Sequence, residues 1–289
     1  MMLQSPIIIF GTGRNGSSAF HRLLARHPGL AWMSRLNDDF PRLPGLNRMI
    51  MAGLDLQPFS FLFRRTVLAG ECYGFWEHYI PGFRRPTRDL TGEDYIEEHA
   101  RIIPVFERML TKKRDRLLLK ITGWPRTGYL ERLFEEGRFI HIYRDGRAVA
   151  ASTLKVSFWR GREGPEKWRW GALSPEHREV WEGSGRSMAV LAGIQWMMLM
   201  DAAEQVVSCV PSKRMYRIRY EDLCESPGKN MREVAEFCGL DWCPEFETAV
   251  RGFEPRNANF KWRKDLSPED QQLLEDLLGG HLARYGYEV

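Results

Sequence analysis

The 289-residue chain is short of cysteine, lysine and long apolar runs. Its five cysteines (Cys72, Cys209, Cys224, Cys238 and Cys243) form no Cys-x-x-Cys pair and have no histidine cluster beside them. That spacing excludes a disulfide framework or a zinc site as the organising device, and it fits a reducing cytoplasm. The longest apolar stretch, Met188 to Met200, is interrupted by Gln195 and falls short of the roughly 20 residues that cross a bilayer. Met1 to Phe10 has no basic lead-in, so it does not read as a secretory signal. A strong charge of either sign is missing too. The 42 Lys and Arg against 38 Asp and Glu give +4, with no basic stripe for nucleic acid. The 33 arginines against 9 lysines reflect either base composition or a need for planar anion-binding forks.

What is present is material for a core: 43% hydrophobic positions, 10 Trp, 16 Phe and 9 Tyr. This excludes a disordered chain and suits one large domain spanning residues 1–289. Short apolar runs rich in β-branched residues, Pro6 to Phe10, Leu117 to Ile121 and Arg138 to Tyr143, read as buried strands. Met215 to Tyr220 alternates and reads as a fourth. Helical patterns follow or separate them, at 17–28, 129–136, 146–152, 188–210, 229–238 and 268–285, with another over 95–110. The alternation predicts an α/β fold: a single, mostly parallel central sheet flanked by helices. Two aromatic and Arg-rich stretches, about 36–115 and 157–186, read as insertions. The first holds the 58–63 run and the 73–79 run; the second holds Trp159, Trp168, Trp170 and Trp181.

Gly11-Thr-Gly13-Arg14-Asn15-Gly16-Ser17-Ser18 separates the first strand from the first helix. Backbone N–H groups and a helix N-terminus converge at such a turn and favour an anion. Gly11-x-Gly13-x-x-Gly16 matches a dinucleotide fingerprint, yet no strand leads into Asp38 or Asp39 to supply its acidic partner. Gly11-x-x-x-x-Gly16 matches the start of a nucleoside-triphosphate loop, yet Ser17 stands where that loop needs lysine. A structural turn with serine caps is the plain alternative. A second strand-turn-helix segment carries Arg144-Asp-Gly146-Arg147 and, two helical turns on, Ser152. Two arginines and a hydroxyl suit a dianionic phosphate by charge-assisted hydrogen bonds; a local Arg–Asp ion pair or helix cap is the plain alternative.

Taken in order, the two loops resemble the 5′-phosphosulfate and 3′-phosphate motifs of sulfotransferases that use 3′-phosphoadenosine 5′-phosphosulfate (PAPS). In that family the second motif usually has Pro where this chain has Gly146. Leu117 to Thr122, containing Lys120, is similar to the strand that delivers a cation to the sulfuryl group. Arg219-Tyr220 and Asn259 to Lys264, with Lys261 and Trp262, are similar to the family's late strand-turn and closing loop. Lys120 as a snorkelling surface lysine and Trp262 as a core residue stay open alternatives. The resemblance implies a P-loop-like sulfotransferase architecture and transfer of a sulfuryl group from PAPS to a hydroxyl or amine, leaving 3′-phosphoadenosine 5′-phosphate (PAP), with no metal required. It assigns Gly13, Arg14, Asn15, Gly16, Ser17, Ser18, Arg144, Ser152, Tyr220, Lys261 and Trp262 to the nucleotide, and Arg14 and Lys120 to the developing charge.

An acceptor hydroxyl also needs a base. Glu71, Glu77 and His78 cluster in one aromatic stretch, with Glu77 the first candidate and His78 the second; both are alternatively ordinary polar groups. His141, inside a strand, reads as a core histidine. The insertions would form a pocket for a small-molecule, lipid or carbohydrate acceptor, and Arg84, Arg85 and Arg88 either favour an acidic one or are a solvated face. A P-loop-type nucleotide kinase and a non-catalytic nucleotide-binding module on the same scaffold are the competing functions.

Overall fold

The computed structural model describes residues 3–56, 69–84, 87–207, 210–255 and 258–288. The 58–63 run, Arg85 and Cys209 lie outside the described residues. Five strands form one parallel sheet: β1 (Ile7–Gly11), β2 (Leu30–Trp32), β3 (Arg116–Thr122), β4 (Arg138–Tyr143) and β5 (Met215–Arg219), in the order β2-β3-β1-β4-β5. β1 is buried along its whole length because helices cover both faces of its central position. Each fully buried Ile or Phe there stabilises the fold by about 1.5–3 kcal/mol. The sheet is parallel throughout, as the alternation of strands and helices predicts.

The strand order reverses around β1, with β3 on one side and β4 on the other. In such sheets ligands collect beyond the carboxyl ends of the strands at that reversal. Lys120 pairs in register with Ile9, and Thr122 with Gly11. Tyr143 pairs with Arg219, one residue before Tyr220. The four strands β3, β1, β4 and β5 therefore end side by side, and the segments carrying Gly13 to Ser18, Arg144 and Tyr220 leave the sheet at this one rim.

Two apolar clusters hold the layers. One surrounds the sheet and takes in Phe75, Trp76, Phe83 and Phe106 from the first insertion. The other joins the helices Gly146–Leu154, Met188–Val207 and Pro268–Arg284 to Trp159, Trp168, Trp170, Trp181 and Trp262. Asp145 caps the 146–154 helix by accepting from the Arg147 N–H at 2.9 Å. A Cβ at Gly146 would lie 2.8 Å from the Trp196 ring, so close packing of these helices accounts for glycine at that position. His141 is fully buried and stacked on Phe10 at 4.8 Å. Burial, then the Arg217 charge, push it down to about 3, so it is a neutral core residue. Where a helix is expected over 95–110, Pro104 and an acidic start break the run into a 3-10 segment (Glu97–Ile102) and a short helix (Ile103–Glu107).

Candidate functional site

The loop after β1 turns back on itself through three positive φ angles: 81° at Gly13, 55° at Arg14 and 87° at Gly16. Glycine adopts that region freely, while an arginine held there carries local strain. At Gly16 a side chain is excluded twice over, because a Cβ would lie 2.0 Å from the Tyr220 ring. Asn15 fastens the turn. It is fully buried, its amide donates to the Ile142 carbonyl at 2.6 Å, and its oxygen accepts from the Ser17 N–H at 3.2 Å. Asn15 thus builds the loop from beneath, and the Ser17 N–H is already engaged. The N–H groups of Gly13, Arg14 and Gly16 take no protein acceptor among the described residues. They remain as donors at the start of the Ser17–Leu24 helix, an arrangement that favours an anion.

The two anion motifs interlock across the rim. Arg14 Nε donates to Ser152 Oγ at 3.0 Å, and an Arg144 terminal nitrogen donates to the Arg14 carbonyl at 3.3 Å. Arg144 Nε also donates to Asn259 Oδ1 at 3.3 Å, and its guanidinium lies 5.1 Å from the Tyr220 ring centroid. Among the described residues neither Arg14 nor Arg144 has a carboxylate within ion-pair distance. Burial, then the Arg144 charge, hold the Arg14 guanidinium below its ordinary value. Two neighbouring cations held together by that hydrogen bond, without a counter-charge among the described residues, suit an anionic ligand such as a nucleotide phosphate.

Arg147 does not join them. Its guanidinium pairs with Asp145 at 2.9 Å and Glu275 at 3.3 Å, and stacks over Trp262 at 4.7 Å. It is buried and paired with two carboxylates, so it is not free for the phosphate contact expected of it. Trp262 is core, 2% exposed beneath Arg147, and Lys261 points to solvent. The closing segment instead delivers Asn259 to Arg144, a residue missed because Asn in an aromatic, basic loop carries no charge signal.

Lys120 is buried at the end of β3, where its ammonium donates to Ser18 Oγ at 2.9 Å and pairs with Glu71 at 2.9 Å. The second Glu71 oxygen accepts from Thr122 Oγ1 at 2.9 Å. Tyr73 steadies the same strand end, donating to the Thr122 carbonyl at 2.7 Å and accepting from its N–H at 2.9 Å. Burial, then the Glu71 charge, push the Tyr73 hydroxyl up to about 12. His21, one helical turn below Ser18, is buried and pushed down to about 3 by desolvation and then by the Lys120 charge. It therefore stays neutral.

Glu77 and His78 lie away from this group. Glu77 accepts from the N–H groups of Gly82 at 2.9 Å and Arg84 at 2.8 Å, closing the loop after its own helix, Tyr73–Tyr79. His78 is exposed and meets Tyr79 edge-on. Glu71 precedes that helix on extended chain, which is why it alone of the three faces β3. Arg88 pairs with Asp94 at 2.6 Å on the surface.

A cavity of about 510 Å³ opens between the glycine loop and the second insertion. Thr12, Arg14, Ser18, Glu71 and Thr122 line one side; Phe158, Trp159, Trp168 and Trp170 line the other. The tryptophans are fixed: Trp159 Nε1 donates to Gln195 at 2.7 Å, Trp168 Nε1 to the Gly171 carbonyl at 2.6 Å, and Trp170 meets Trp124 edge-on at 6.2 Å. Of the first insertion, only Glu71 and Tyr73 line it among the described residues; Phe75, Trp76, Phe83 and Phe106 pack into the core instead.

Comparison with known proteins follows this geometry. The solved sulfotransferase STF9 of Mycobacterium avium superposes with a TM-score of 0.63 at 17% identity, covering 100% of this chain and 79% of its own. The sulfotransferase domain of the Synechococcus PCC 7002 olefin synthase gives 0.52 at 18% identity, covering 100% and 97%. At that identity these establish the fold. Among curated proteins, the omega-hydroxy-beta-dihydromenaquinone-9 sulfotransferase Stf3 of Mycobacterium bovis is 22% identical over 222 residues, 70% of this chain and 52% of that protein. The chain thus spans about half the length of the curated relatives it matches. The model of the sulfotransferase family (Sulfotransfer_3) matches residues 6–244, which include the glycine loop, Lys120, the Arg144 turn and Tyr220, and the chain belongs to that family.

Proposed function

We propose that the protein transfers a sulfuryl group from PAPS to a hydroxyl, or an amine, of an acceptor seated in the aromatic cavity. The observation that carries this reading is the meeting of Arg14 and Arg144, from two separate crossover turns, beside a cavity lined by Arg14 and by Glu71, the partner of Lys120. When bound, PAPS supplies the sulfuryl group and leaves as PAP. Arg144, with Ser152 close to Arg14, suits the 3′-phosphate end; the glycine-loop N–H groups suit the 5′ end. Tyr220 lies beneath both, against Arg144 and Gly16.

The chain's own residues then have defined work. Arg14, the loop N–H groups and Lys120 stabilise the negative charge that builds on the departing 5′-phosphate, as cationic clamps do in phosphoryl transfer. Glu71 takes the proton of the attacking hydroxyl, so it replaces Glu77 and His78 as the proposed base. Lys120, hydrogen-bonded to Ser18 and paired with Glu71, ties the two ends of this proton and charge movement together. The tryptophan wall supplies an apolar seat, and the curated relative named for a hydroxylated menaquinone is consistent with a lipid-like acceptor.

Thermal unfolding with nucleotides tests the reading. PAP without magnesium should raise the melting temperature, and ATP with magnesium should do so little. An equal response to both would favour a kinase. Sulfated product formed from labelled PAPS and an acceptor library then distinguishes an enzyme from a nucleotide-binding module.

A further inference from the structure

The cavity is asymmetric in charge. Its one carboxylate among the described lining residues, Glu71, has both oxygens engaged, by Lys120 and Thr122. The opposite wall, from the second insertion, brings Arg160, Lys167 and Arg169 among the tryptophans. Arg160 and Lys167 have no ion pair among the described residues, and Arg169 stacks over Trp170 at 4.7 Å. Gln195 adds to the same sign. An indole N–H can only donate, so the Gln195 atom facing Trp159 Nε1 at 2.7 Å is its oxygen, and the amide NH₂ is the group left over. The polar groups that this wall offers to an occupant are therefore hydrogen-bond donors, most of them charged, set between flat apolar rings. The overall charge of +4 is too small to account for such a local excess.

We infer that the acceptor is an anionic aromatic or amphiphilic molecule: a hydroxyl toward Glu71, an apolar body on the tryptophans, and a carboxylate or other acidic group toward Arg160 and Lys167. This rests on the sulfuryl-transfer reading and names the substrate class for it. The nucleotide's own anionic ends are already matched by the glycine loop and Arg144, so the insertion's cations are left for the second substrate. Arg160 and Lys167 are exposed at the cavity mouth, where an acidic group would keep part of its hydration while gaining charge-assisted hydrogen bonds. The Trp rings lie deeper, each under a tenth exposed, where the apolar body would sit.

The test uses the full chain saturated with PAP and two probes of one shape, 6-hydroxy-2-naphthoate and 6-hydroxy-2-naphthamide, titrated by calorimetry. The carboxylate should bind at least about tenfold more tightly than the amide, as one or two charged hydrogen bonds imply. The double variant Arg160→Ala/Lys167→Ala, both positions being exposed, should bring the two probes level while leaving amide and PAP affinity unchanged. Equal affinities in the wild type, no binding of either probe, or a preference that survives the double variant would each overturn the inference. So would a parallel loss of PAP affinity in that variant, which would assign the two cations to the nucleotide. Failure of the wild type to bind PAP at all would instead remove the sulfuryl-transfer reading on which the inference stands.

Discussion

Trp76 and Phe83 stack at 4.5 Å with no exposure, and Phe75 and Phe106 close around Trp76. Trp159, Trp168 and Trp170 keep 6–7% of their surface open, and it faces the cavity. The two stretches have similar composition, yet the rings of one are enclosed in the core and those of the other line a cavity. The difference lies in what surrounds the rings. The first stretch lies against β3 and the 3-10 and helical pieces around residue 100, and apolar neighbours enclose it. The second stands on the Met188–Val207 helix through the Trp159–Gln195 bond, and Arg160 and Lys167 line the same cavity as its rings. Aromatic content thus does not by itself identify a pocket. Glu71 belongs to the first stretch but escapes its packing, being held to Lys120 and Thr122 at the sheet rim.

The contrast can be broken at several points. Trp76→Ala should lower the unfolding free energy by about 3–5 kcal/mol, read from the denaturant midpoint, because a fully buried large ring leaves a cavity. A much smaller loss would mean the first stretch is not core. Glu71→Gln should slow turnover by about 10²–10⁴-fold while PAP affinity holds, as removal of a general base does. An unchanged kcat would return the base assignment to another group. Trp168→Ala should raise the acceptor KM by about 2–12-fold, the value of an aromatic contact of about 0.5–1.5 kcal/mol, with the PAP affinity unaltered. Smallest is Glu77→Gln, which should cost about 1 kcal/mol of stability through its loop contacts and leave kcat within error. A kcat loss matching that of Glu71→Gln would restore Glu77 as a catalytic candidate.

Much of this was legible in the chain itself, for identifiable reasons. β1, β3 and β4 are buried along their centres, so each carries an apolar run, and their limits fall within a residue or two of expectation. β2, only Leu30–Trp32, is too short to carry a period. The glycine loop and the Arg144 turn were readable because backbone geometry demands particular residues there. Arg147 was so only in part: its partner Asp145 is two residues away, while Glu275 reaches it from another helix far along the chain. The roles of Glu71 and Glu77 could not be separated either. They are six residues apart, and only the start of the helix at Tyr73 decides which of them faces the sheet. Asn259 becomes visible only once the closing segment has folded back onto Arg144.

The central claim is that one nucleotide bearing phosphate at both ends is gripped by Arg14's loop and by Arg144 together. Calorimetric titration with PAP and with adenosine 5′-phosphate, in chelator, on wild type and Arg144→Ala, measures it directly. PAP should bind the wild type more tightly than adenosine 5′-phosphate does. Loss of Arg144 should weaken PAP by about 1.5–3 kcal/mol and leave adenosine 5′-phosphate unchanged. Equal binding of the two nucleotides by the wild type, or PAP affinity indifferent to Arg144, would contradict the account.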